Sequence, residues 1–71
     1  MELPRVSGAE AVRALEQAGF AFRSQRGSHP KLRHPDGRIV IVPMHRELAP
    51  GTLRSILKQA GLSIDELRGL L

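Results

Sequence analysis

Hydrophobic and polar positions follow two different periods along this chain. Ala11, Val12, Leu15 and Ala18 recur at helical spacing, with Arg13, Glu16 and Gln17 on the other side. Ser7-Gly8-Ala9-Glu10 precedes them as a capping box: the serine hydroxyl takes the Glu10 amide and the glutamate reaches back. Gly19 can take the left-handed conformation that ends a helix. A first helix is therefore predicted over about residues 8–18. From Phe20 to Gln25 the period becomes two, predicting a strand with Phe20 and Phe22 toward the core and Arg23 and Gln25 opposite. Arg26-Gly27-Ser28 is a turn. A second strand follows over about His29–His34, with Leu32 inward and His29, Lys31 and Arg33 on the other face. Pro30 has no amide to give, so this strand should start irregularly or at an edge.

Pro35-Asp36-Gly37-Arg38 is a second turn. His34, just before it, is read as capping that turn. Ile39-Val40-Ile41-Val42 is apolar on both faces, which predicts a central or partly covered third strand, ended by Pro43. Met44 to Ala49 read as a loop. Pro50 suits a first helical position, and Leu53, Ile56, Leu57 and Ala60 form a stripe that stops at Gly61. Ser63-Ile64-Asp65-Glu66 repeats the capping box, with Leu62 and Leu67 as a hydrophobic staple for a short helix over about 64–70. The order is α-β-β-β-α with a helical extension. The expected architecture is α+β: a three-stranded antiparallel sheet with its helices on one face and cations on the other. Residues 1–71 should make one domain with a thin core.

Charge changes this picture most. Between residues 23 and 46, Arg23, Arg26, Lys31, Arg33, Arg38 and Arg46 face only Asp36, six cations against one carboxylate, a local +5. The whole chain carries +4, so all of the excess is in the middle. A focused basic segment points to a polyanionic partner such as RNA. There is no cysteine, which excludes disulfides and thiolate metal sites. No apolar run approaches the ~20 residues of a membrane span. Met1 to Ser7 lack the basic-then-apolar pattern of a secretion signal, so a soluble cytoplasmic protein is expected.

Candidate chemistry rests on three histidines. His29 follows a Gly-Ser turn among Arg26, Lys31 and Arg33 and is the candidate general base or acid for a phosphodiester. His45 is read as exposed in its loop. A metal site is not expected: His29 and His34 are five apart on a strand, hence on opposite faces, and carboxylates are scarce around them. Ser28-His29 is a weak nucleophile pair because neighbouring strand residues diverge. With both phenylalanines assigned to the core, no aromatic platform for bases is expected. The candidate RNA contacts are Arg23, Arg26, Ser28, Lys31 and Arg33. The residues alone leave three readings open: a ribonuclease, a non-catalytic RNA-binding module, and a protein-interaction domain using the basic face.

Arg26-Gly27-Ser28-His29, the His34-Pro35-Asp36-Gly37-Arg38 turn, Val40-Ile41-Val42-Pro43 and the run from Gly51 to Leu62 together resemble the HicA-type toxins, the YcfA-like mRNA interferases of bacterial toxin-antitoxin pairs. The resemblance covers nearly the whole chain. It implies a double-stranded-RNA-binding-like α-β-β-β-α fold, ribosome-independent cleavage of mRNA, and a HicB-type antitoxin that covers the site. It places the catalytic histidine on His29.

Overall fold

The computed structural model describes residues 2–71, and Met1 lies outside them. Its elements are α1 (Gly8–Gln17), β1 (Ala21–Arg26), β2 (His29–Arg33), β3 (Ile39–Ile41), α2 (Pro50–Ala60) and α3 (Ile64–Leu70). The sheet is antiparallel in the order β1-β2-β3. The α-β-β-β-α order and the trailing short helix are those expected from the sequence.

The helices begin where local chemistry lets them. The Ser7 hydroxyl accepts the Glu10 amide at 3.0 Å, and the Glu10 carboxylate accepts the Ser7 amide at 2.9 Å. Ser63 and Glu66 repeat the arrangement at 3.0 and 2.9 Å. α2 has no side-chain cap; Pro50 opens it, and Gly61 closes it at φ 68° and ψ 30°. α1 starts against the loop after β3, where the Gly8 amide donates to the His45 carbonyl at 2.9 Å. A Cβ on Gly8 would stand 2.3 Å from the Pro43 oxygen, so only glycine permits this approach.

The core lies between the sheet and the helices. Leu32 and Val40 are wholly buried, each covered on the helix side, with Leu53, Ile56, Leu57 and Ala60 of α2 buried in the same cluster. Leu15 of α1 and Leu67 of α3 join it.

Two expectations are corrected. First, Phe22 is not in the core: it is 56% exposed, against 3% for Phe20. Cross-strand pairing sets it opposite Leu32, yet β1 is the outer strand and is exposed along its whole length. The helices are too few to cover it. Second, β3 is an edge strand, and β2 is the central one. Val40 alone points inward; Ile39 and Ile41 are exposed on the open face. Pro30 lies in the central strand and makes its start irregular, one of the two outcomes expected from its missing amide. Its carbonyl accepts the Val42 amide at 3.0 Å, but it has no amide to return the bond, and β3 ends at Ile41.

The turn between β2 and β3 is built around Arg38. Its Nε donates to both Asp36 oxygens, at 3.1 and 2.9 Å, and its Nη1 donates to the Ala60 carbonyl at the end of α2. The guanidinium carbon sits 5.2 Å from the Phe20 ring centroid. His34 caps the same turn, as expected: its Nδ1 accepts the Asp36 amide at 3.2 Å, and its ring meets Phe20 edge-on. Hydrogen bonds from Arg38 lower the Asp36 carboxyl to about 2. A depressed carboxyl stabilises the fold above its unfolded value, and this contribution is lost as pH falls through about 2.

Two outcomes test this packing. Leu57→Ala should lower stability by ~2–5 kcal/mol in denaturant melts, because it empties the stripe over the sheet. A loss below about 1 kcal/mol would mean that the site collapses without a cavity. In an NMR titration, Arg38→Met should return the Asp36 carboxyl toward the ordinary range of about 4, and no shift would remove Arg38 as the cause.

Candidate functional site

β1 and β2 form a hairpin closed by Gly27 and Ser28, with Arg26 opposite His29 at its mouth. The first loop residue needs φ 57°, which glycine supplies without strain. The Gln25 side-chain amide braces the loop on the Gly27 carbonyl at 2.8 Å. His29 is thereby fixed at the first position of the central strand, exposed, on the face away from the helices.

Side chains on this open face follow from the register. β2 contributes His29, Lys31 and Arg33, alternating with buried Pro30 and Leu32. From β3, Ile41 stands opposite Lys31 and Ile39 opposite Arg33. From β1, Arg26 stands opposite His29 and Ser24 opposite Lys31. Ser24, Arg26, His29, Lys31 and Ile41 line one concavity of about 350 Å³. No carboxylate lines it, so its charge is uncompensated.

The candidate residues separate into groups. His29, Arg26 and Lys31 are brought together. Arg33 lies on the same face, one step further from the hairpin. Arg23 is not where alternation put it. A β-bulge between Phe22 and Ser24 inverts the phase of β1, so that Ser24 and Arg26 take the open face and Gln25 pairs with inward-facing Pro30. Arg23 instead borders a second concavity, with Arg33, at the other end of the ribbon. Ser28 stays on the exposed loop, where its carbonyl accepts the Met44 amide at 3.0 Å. His45 is exposed and outside the concavity, as expected from its loop.

Ser24 was missed from the sequence. Arg23-Ser24-Gln25-Arg26 is polar throughout, so no apolar residue marks the phase slip. Among the described residues no three histidine, aspartate or glutamate side chains group as a metal-holding set. No described helix is long and apolar enough to cross a membrane.

A three-stranded antiparallel sheet with a helix before it and helices after it is the α-β-β-β-α arrangement of double-stranded-RNA-binding-like folds. Residues 8–62 match the profile of the HicA toxin of bacterial toxin-antitoxin systems, and the chain belongs to that family. A chain in a toxin-antitoxin complex from Streptococcus pneumoniae is similar in sequence and shape. It is 37% identical, with a TM-score of 0.69, over 79% of this chain and 97% of that one. No curated protein matches the sequence.

Proposed function

We propose that this HicA-family protein is an endoribonuclease toxin that cleaves mRNA by metal-independent acid-base chemistry, with His29 as the general base. The observation that carries this reading is the position of an exposed imidazole beside Arg26 and Lys31, with no carboxylate lining the same concavity. RNA brings its own nucleophile. His29 takes the proton of a 2′-hydroxyl, and the freed oxygen attacks the adjacent phosphorus. Charge grows on the phosphorane oxygens, where Arg26 and Lys31 stabilise it. The bond from phosphorus to the 5′-oxygen then breaks. That oxygen takes a proton from solvent, since no second imidazole lines the concavity. The products are a 2′,3′-cyclic phosphate and a 5′-hydroxyl. No cofactor is required.

Arg33, on the same face, and Arg23, at the other end of the ribbon, would hold neighbouring phosphates, with Ser28 contacting the RNA from the loop. The whole of residues 1–71 would act as one cytoplasmic unit. A HicB-like antitoxin would silence it by covering the open face. Support for such a partner comes from the family and from the similar chain having been found in a toxin-antitoxin complex.

His29→Ala should abolish cleavage of RNA while circular dichroism stays unchanged, because the side chain is exposed. Wild-type cleavage should persist in excess chelator and leave cyclic phosphate ends by mass spectrometry. A folded variant that cleaves as well as wild type, or 5′-phosphate products, would refute the mechanism.

Binding should be steeply salt-dependent. If about four phosphates are neutralised, the log-log slope on single strands is roughly −3, and removing Arg26 or Lys31 should flatten it by about 0.7. Arg13→Gln, on α1, should leave it unchanged. Fluorescence titration of the His29→Ala protein measures both, and adding antitoxin should displace the RNA. A flat salt response, or RNA and antitoxin bound together, would rule out a shared basic face.

A further inference from the structure

The end of the β1–β2 ribbon far from His29 carries one side chain that the cleavage reading does not use, Phe22. It lines a concavity of about 200 Å³ there with Arg23 and Arg33, together with Gly19, Ala21 and His34. The chain has only two aromatic residues apart from histidine, and no tyrosine or tryptophan. Phe20 is engaged by His34 and Arg38 in the core. Phe22 is 56% exposed, the most exposed of the large apolar side chains. A single exposed ring is ordinary on a small domain; this one is set apart by the concavity it shares with two arginines.

Its neighbours define the chemistry of that partner. Among the described residues, Arg38 pairs with Asp36 and Arg68 with Asp65. Arg23 and Arg33 have no such carboxylate. An exposed apolar ring that shares a concavity with two arginines lacking a carboxylate partner is suited to a base and its neighbouring phosphates.

Building on the RNA-cleavage reading, we infer that this concavity is a second nucleotide subsite, in which the Phe22 ring stacks on an unpaired RNA base while Arg23 and Arg33 bind the flanking phosphates. Arg33 links it to the first: it is four residues from His29 on the same strand and the same face, about 13 Å at ~3.3 Å per residue, whereas Phe22, opposite inward-facing Leu32, borders the concavity from the other side of the ribbon's end. An RNA strand leaving His29 passes Lys31 and reaches Arg33 without crossing a carboxylate. The β-bulge serves both sites: it turns Ser24 and Arg26 toward His29 and leaves Arg23 with Phe22. A ring can stack only on a base that is not paired within a duplex. The subsite therefore selects single-stranded or looped RNA, while cleavage at His29 sets no demand on base identity.

The test uses the full-length His29→Ala protein and two probes: a twelve-nucleotide oligoadenylate and a sugar-phosphate strand of equal length without bases. Adding Phe22→Ala should raise the Kd for oligoadenylate between about fivefold and a hundredfold. Phe22→Trp should keep or improve it. The baseless strand should bind all three proteins equally, because phosphate contacts are untouched. Circular dichroism checks that each variant is folded. Equal oligoadenylate affinity with alanine or phenylalanine would overturn the subsite while leaving the RNA reading intact. So would a loss of equal size on the baseless strand, or a loss confined to antitoxin binding. If the parent protein binds neither probe, the RNA reading itself fails, and the subsite with it.

Discussion

Leucine and isoleucine side chains on one face of α2 hold the sheet in place. Leu53, Ile56, Leu57 and Ala60 are buried with Leu32 of the central strand and Val40 of β3. A chain of this size has apolar residues enough to cover one face of a three-stranded sheet and no more. The opposite face is wet by necessity. That is why several cations can stand close together there: in water they repel weakly, whereas under a second layer each would require a partner. The same shortage explains β1, whose six residues are all exposed although they are paired in the sheet.

The parts legible in the sequence were those governed by local rules. Capping boxes at Ser7 and Ser63, Pro50 at a helix start and Gly61 at a helix end fix boundaries within a few residues of themselves, and the structure keeps all four. The α2 stripe was read correctly because Leu53, Ile56, Leu57 and Ala60 repeat with one period over about two turns. What escaped the sequence depends on neighbours. An apolar run such as Ile39-Val40-Ile41 looks central, but only the sheet order reveals whether a strand lies beyond it. Phe22 was expected in the core because alternation gives its face, and alternation cannot tell how far the helices extend.

The site was legible to a similar depth. His29 with Lys31 and Arg33 came directly from the alternation of β2, which Leu32 anchors. Arg26 and Ser24 depend on a bulge in a stretch without an apolar marker, and there the residues alone carry no phase. The bulge thus divides the cations of β1 between the two ends of the ribbon. Basic composition indicated the kind of partner, and the register indicated which groups meet it.

Pro30 gives the free edge of the sheet a property of its own. β3 has only three residues, and its pairing with β2 stops where Pro30 has no amide to return the bond from Val42. Beyond them the chain departs at Pro43, and the Gln59 side-chain oxygen on α2 approaches the Ile41 amide at 3.5 Å. A stretch this short, partly occupied by a side chain, is a poor template for a foreign strand. Ile39 and Ile41 would otherwise make an adhesive border, open to copies of the same chain stacking into fibrils. A border that stops where Pro30 lacks an amide and Pro43 turns the chain away offers little backbone for another strand to pair with, although two isoleucines stand exposed on it.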